Sequence, residues 1–196
     1  AFILYAEHEF NASTYAARIT TSTESDFYSA IVTAIGTLKG PLHGGANEAA
    51  MGLLSSFKTP EQARMGILKK LANKEKIMGF GHRVYKNGDP RSPIIKAVAK
   101  QLTKKSGDTQ LFEVAEAIEQ TMEREKGLKT NLDFYSAIVF HCIGMPTSYF
   151  TPLFVFSRIT GWAAHIMEQR QNNRLIRPLA KYIGPKHRAF VSITER

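Results

Sequence analysis

The chain has 196 residues, 43% of them hydrophobic and 22% charged, which are globular proportions that exclude a disordered polymer and leave ample length for a buried core. Its 26 Lys and Arg outnumber 17 Asp and Glu, a formal charge of +9, and the excess is local: residues 58–105 hold 13 basic side chains against three acids. Such a concentrated field favours an anionic partner, while the shortage of interleaved aromatics and the lack of any zinc-finger or RNP pattern argue against nucleic acid.

In chain order, the sequence opens at Ala1 with no Met and no basic-then-apolar signal pattern, and Ala1–Ala6 already reads as packed structure; a piece of a longer protein is expected. Thr21 to Glu24 offers a capping box ahead of a helix running to about Leu38, and another helix should begin near Asn47. Thr59-Pro60-Glu61-Gln62 is a capping box with proline at the first helical position, and Ser92-Pro93 opens the next helix. Ile95, Val98, Ala99 and Leu102 follow the i, i+3, i+4, i+7 period, as do Leu111, Val114, Ala115 and Ile118 with Met122 one turn on. Further helices cover about 131–143 and 151–171. No stretch alternates apolar and polar residues long enough for a strand, so the predicted fold class is all-α.

Residues 134–157 carry no charge and are long enough to span a bilayer. Pro146 and Pro152 interrupt them, and polar residues are scattered through them, which favours two buried helices joined by a proline-containing turn over a membrane span. Within that run His141 reads as a core histidine and Cys142 as buried and inert; His165 and His187 are assigned to structure or surface. The lone cysteine excludes an internal disulfide framework and fits a reducing, cytoplasmic compartment.

Gly and Pro punctuate four places: Gly40–Gly45, Gly79–His82, Asn87–Pro90 and Gly144–Pro146. The first and last bracket about 100 residues, read as a subdomain set between two parts of another. Ionisable side chains recur at these breaks rather than on amphipathic faces. His43 stands between Pro41 and Gly44-Gly45, His82 follows Gly79-Phe80-Gly81, Arg91 follows the Asp89-Pro90 turn, and Asp133 begins an apolar helix. Each alone is ordinary, Asp133 reading as an N-cap and either histidine as a turn residue. Together they suggest a polar site assembled from helix ends, where burial would raise a carboxyl toward a useful base. No G-x-S-x-G, P-loop or H-E-x-x-H is present. His8, His43 and His82 could share a zinc, but nothing in their spacing supports it.

Five motifs occur in order: Gly-Pro-Leu-His-Gly-Gly-Ala-Asn-Glu (40–48), Gly-Phe-Gly-His-Arg-Val-Tyr (79–85), Asp-Pro-Arg (89–91), Asn-Leu-Asp-Phe-Tyr-Ser (131–136) and Ser-Arg-Ile-Thr-Gly-Trp (157–162). In order and spacing they resemble the citrate synthases, and the tail His165–Arg170 with Ile176-Arg177-Pro178 is most similar to the bacterial 2-methylcitrate synthase branch. The resemblance runs through the whole chain. It implies a homodimeric all-α enzyme that condenses an acyl-CoA with oxaloacetate and hydrolyses the adduct, with propionyl-CoA preferred and acetyl-CoA the alternative. It also implies that only the C-terminal half is present, with residues 1–42 and 146–196 in a large domain and 43–145 forming the small one. The same resemblance makes Asp133 the general base, His43 the donor to the thioester oxygen and His82 the group that polarises the oxaloacetate ketone. It gives Arg91, Arg158 and His8 to oxaloacetate, and Arg177 to the partner subunit's site. Lys76, Ile77, Met78, Gly79 and Phe80 become the loop that holds CoA. No metal or permanently bound cofactor is implied, and the basic stretch acquires CoA phosphates as a target. A reading of another class is a non-catalytic fragment or interaction module, motivated by large-domain helices without their packing partners.

Overall fold

The computed structural model describes residues 1–185 and 189–196, and among them the regular elements are helical apart from one isolated bridge, Phe80 to Thr130. His187 lies outside the described residues. The α-helices are α1 (Phe2–Tyr5), α2 (Ala12–Ser22), α3 (Phe27–Leu38), α4 (Ala46–Ser55), α5 (Pro60–Ala72), α6 (Ser92–Ser106), α7 (Thr109–Lys126), α8 (Leu132–Cys142) and α9 (Phe150–Gln171), with a 3-10 turn at Thr147–Tyr149 leading into α9. The all-α expectation therefore holds. Residues 134–157 form the two helices and connecting turn expected of them, and among the described residues no helix is long and apolar enough to cross a membrane.

Local chemistry sets most helix starts. The Thr59 hydroxyl accepts the Gln62 N–H at 3.2 Å, and the Gln62 side chain reaches back to the Lys58 N–H at 3.0 Å. Asp108 caps α7 through the Leu111 N–H at 3.2 Å. The box expected at Thr21–Glu24 is not one. Thr21 is buried in the last turn of α2 with its hydroxyl on the Ala17 carbonyl at 2.7 Å, and α3 is capped instead by Asp26, which accepts the Ser29 N–H at 2.9 Å.

The helices pack as two groups, bridged by α4, around one continuous apolar core. In one, α9 lies against α1, α2 and α3, burying Phe150, Phe154, Trp162 and Ile166. In the other, α5 packs on α7 and α6 on α7 and α8, while α4 lies on α8. From Leu132 to Phe140 every α8 residue except Asp133 is buried, so this helix is apolar all round and forms the inner member of its group. Its other end differs from expectation: His141 is exposed, its Nε2 4.0 Å from Asp108 Oδ2, and Cys142 is only half-buried. Both lie past the last fully enclosed turn, where His141 reaches the surface and Cys142 still packs against the edge of the core.

Candidate active site

A cavity of about 540 Å³ opens where the two groups meet. Nearly all the residues expected in the site line it: His8, His43, Ile77 to Phe80, His82, Arg91, Asp133 and Arg158. Two do not. Lys76 is exposed just before the lining stretch, and Arg177 is exposed on the extended segment after α9.

A short antiparallel pairing brings the second and fourth motifs together. Gly81 N–H donates to the Lys129 carbonyl at 2.8 Å and Asn131 N–H to the Gly79 carbonyl at 2.9 Å, so the chain entering α8 runs beside the 79–81 turn. Gly79 sits at φ +88°, and a Cβ there would stand 2.9 Å from Phe134 Cβ, so both conformation and space demand glycine. Asn131, rather than Asp133, caps α8, its Oδ1 taking the Asp133 N–H at 3.0 Å. That frees the Asp133 carboxyl. Its Oδ1 accepts the Tyr5 hydroxyl at 2.7 Å. Although Asp133 as a residue is only half-buried, its carboxyl lies deep among protein atoms, and that desolvation pushes it up to about 6, against the Tyr5 hydrogen bond and the nearby Arg91 and Arg158, which favour its charged form.

The histidines have defined ring partners. His82 Nδ1 accepts the N–H groups of Val84 at 3.0 Å and Tyr85 at 3.3 Å, which places the proton on Nε2. His43 Nε2 meets the Ser13 hydroxyl at 2.8 Å and the Ser13 N–H at 3.4 Å. A backbone N–H can only donate, so this contact favours the tautomer protonated at Nδ1. Burial, with Arg158 nearby, lowers His43 to about 4. His8 joins its Nε2 to the Tyr85 hydroxyl at 3.0 Å, and its ring lies 5.0 Å from that of His82. His8 is lowered by burial and Arg91, and His82 by burial and His8, so the three imidazoles are neutral near pH 7. Among the described residues no three metal-ligating side chains cluster.

The two arginines differ. Arg91 makes a fork with Asp89, Nε to Oδ1 at 2.9 Å and Nη2 to Oδ2 at 2.8 Å, and reaches the Leu4 carbonyl through Nη1 at 3.3 Å. Asp89 also accepts the Leu132 N–H at 3.1 Å, tying the start of α6 to the start of α8. Burial pushes the Asp89 carboxyl up, but the Arg91 contacts prevail and hold it below the ordinary range. Arg158, only 2% exposed, donates Nε to the Tyr5 carbonyl at 2.7 Å and lies over the Phe154 ring at 4.8 Å. Its Nη1 is buried with no hydrogen-bond partner among the described residues. Burial, with Arg91 adding repulsion, lowers it to about 10.

The cavity thus gathers a buried guanidinium, a carboxyl raised toward neutrality and neutral histidines. The family model described as citrate synthase, C-terminal domain, matches residues 1–179. The chain belongs to the citrate synthase family. It is 53% identical over its full length to the 2-methylcitrate synthase of Shewanella oneidensis, covering 52% of that protein, and 54% identical to citrate synthase 2 of Bacillus subtilis, covering 53%. A solved citrate synthase of Thermoplasma acidophilum, in ternary complex with carboxymethyl coenzyme A and oxaloacetate, superposes with a TM-score of 0.92 at 43% identity, covering all of this chain and 53% of that one. The chain thus spans about half the length of these citrate synthases.

Four site members escaped the sequence reading. Asp89 and Tyr85 lie inside motifs already singled out, so their spacing could have indicated them. Ser13 and Tyr5 carry no such signal, because they reach His43 and Asp133 across 30 and 128 residues of sequence.

Proposed function

We propose that the protein containing this chain condenses an acyl-CoA with oxaloacetate and hydrolyses the resulting thioester, with propionyl-CoA preferred and 2-methylcitrate the product. The observation that carries the reading is the placement of Asp133, raised to about 6, in one cavity with the two arginines and the neutral His43 and His82.

In this reading a carboxylate of oxaloacetate pairs with the guanidinium of Arg158, which lines the cavity, with Arg91 and His8 completing the seat. Asp133 removes a proton from the carbon next to the thioester. The His43 Nδ1–H donates to the thioester oxygen as negative charge develops there, and pre-aimed donors of this kind often supply the largest catalytic contribution. The enolate carbon attacks the ketone carbon of oxaloacetate, the C=O π pair moves to the ketone oxygen, and the His82 Nε2–H bond stabilises the charge developing there; that oxygen then takes up one proton, balancing the one held by Asp133. Water then cleaves the thioester and releases CoA. Neutral imidazoles suit both steps, since each acts by donating a hydrogen bond.

Ile77 to Phe80 would hold the CoA adenine through backbone groups, with exposed Lys76 and Arg83 beside them for its phosphates. Residues 43–145 would act as a small domain closing on residues 1–42 and 146–196, and Arg177 would serve a partner subunit's site in a cytoplasmic homodimer. The acetyl-CoA reading is supported by the 54% identity to a relative named citrate synthase 2. A pocket discriminates one methylene by only about 1–3 kcal/mol, so cross-activity is expected.

The test is thiol release from propionyl-CoA and acetyl-CoA, with and without oxaloacetate, beside Asp133→Ala. Oxaloacetate-dependent release abolished by Asp133→Ala is the expected result, and the substrate ratio names the branch. Release that ignores oxaloacetate, or survives Asp133→Ala, would overturn the assignment of roles.

A further inference from the structure

Tyr5 is 2% exposed, and two of its oxygens serve the site at once. Its carbonyl accepts Arg158 Nε at 2.7 Å, and its hydroxyl donates to Asp133 Oδ1 at 2.7 Å. Its ring is fixed between Phe154, centroids 4.3 Å apart, and Phe140, 6.3 Å apart. A buried ring gripped on both sides has little rotamer freedom, so its hydroxyl presents a donor in one place. Oδ2 of Asp133 accepts no hydrogen bond among the described residues, nor is it one of the fully buried orphan atoms, so it stays accessible to the cavity that Asp133 lines.

From this geometry we infer that Tyr5 is a positioning residue for the base: it occupies Oδ1, holds the carboxyl in its ionised form and leaves Oδ2 to receive the substrate proton. The inference rests on the reading of Asp133 as the base and deepens it. The groups facing Asp133 are Tyr5 from α1, Asp89 and Arg91 from the turn before α6, and Arg158 from α9. Of these, only the Tyr5 hydroxyl hydrogen-bonds the carboxyl directly. A hydrogen bond to the charged form lowers a carboxyl's pKa, so removing the hydroxyl raises it. Burial keeps the Tyr5 phenol itself protonated, and the Asp133 charge raises it further, so it acts as a donor throughout the working range.

The experiment is a 13C NMR titration of the aspartate carboxyl carbons in the whole chain, with the Asp133 signal assigned by its loss in Asp133→Asn. The native signal should titrate near 6. In Tyr5→Phe the midpoint should rise by about one to two pH units, the scale of a hydrogen bond to a charged group. With 3-fluorotyrosine placed at position 5, whose more acidic phenol is the stronger donor, it should fall. A Tyr5→Phe midpoint equal to the native one, or shifts of the same sign in both forms, would overturn the inference. Should Tyr5→Phe lose its cooperative melt, the fluorotyrosine form keeps both ring and hydrogen bond and decides by the sign of its shift. Thiol release surviving Asp133→Ala would sink the base assignment itself, whatever the titration gives. Asp133-dependent release with an unmoved midpoint would sink only the part given to Tyr5.

Discussion

Replacing Arg158 by methionine separates what the residue does for the fold from what it does for a ligand. The guanidinium is 2% exposed, and burial, with Arg91 adding repulsion, lowers it to about 10. That depression corresponds to roughly 3 kcal/mol of strain, at about 1.4 kcal/mol per unit. Methionine removes this strain but loses the Nε bond to the Tyr5 carbonyl, worth about 1.5–3 kcal/mol for a charged donor, and fills similar volume with apolar atoms. The two nearly cancel, so Arg158→Met should melt within a few degrees of the parent, whereas breaking a well-paired buried ion costs about 3–5 kcal/mol. The response to ligand should differ sharply. Oxaloacetate at 100 times its Kd stabilises a binding protein by about 2.7 kcal/mol, or roughly 5–11 °C for a chain of this size. Differential scanning fluorimetry with and without oxaloacetate should show that rise in the parent and none in Arg158→Met. A variant that melts more than about 10 °C lower without ligand, or that keeps the full ligand shift, would refute the view of Arg158 as a strained cation awaiting an anion.

Asp133→Asn tests two opposed titrations. Asp133 is raised from 3.8 to about 6, so the folded chain binds its proton first and gains stability as pH falls through that window, on the order of 3 kcal/mol. His43 is lowered from 6.5 to about 4, so the unfolded chain binds that proton first and stability is lost as pH falls from 6.5 to 4. Asp133→Asn should therefore melt higher than the parent at pH 7 and lose more stability by pH 4.5; parallel melting curves would count against the Asp133 assignment, and a variant whose stability does not fall between pH 6.5 and 4 against that of His43. Gly79→Ala forces an L-residue to φ +88° and sets its Cβ 2.9 Å from Phe134, a cost of about 2–4 kcal/mol. It should lower the melting temperature by roughly 5–15 °C and weaken amide-exchange protection at Asn131, whereas an unchanged melt would show that the 79–81 turn is not held as described.

How much of this was legible in the sequence follows from how local each cause is. Helices α5, α6 and α7 declare themselves through caps and a 3.6-residue apolar period, both carried by residues within a turn of one another. Helix α2 does not. Its buried face is Ser13, Thr14, Ala17 and Thr21, small and polar residues that leave no apolar stripe, and Trp162 and His43 partner its Ser13 from distant segments. The Thr21 box failed for the same reason, because a threonine that caps and a threonine that returns its hydroxyl to the preceding turn look identical in sequence. His141 and Cys142 were misplaced because an uncharged run does not show where a buried helix emerges. The site motifs were visible as ionisable residues beside glycines. What Tyr5 and Ser13 contribute depends on contacts that only folding creates.

Burial alone pushes Asp133, Arg158 and His43 the same way, toward the neutral form, so depth cannot explain why the site holds groups of different character. Their partners do. Arg91 is given Asp89 and remains a settled cation, its fork spent on joining α6 to α8. Arg158 receives only a carbonyl and an aromatic face among the described residues, and lines the cavity without a carboxylate partner. Asp133 receives one hydroxyl rather than a cation, which leaves it near 6, ionised at neutral pH yet basic enough to hold a proton briefly. Had the Asp89 fork been offered to Arg158 and an arginine fork to Asp133, the fold would gain stability. The anion seat would then be filled from within, and the carboxyl would be too weak a base to take a proton from carbon. The unfavourable charge states in the cavity and its capacity for chemistry are one property, set by which polar partners the fold withholds.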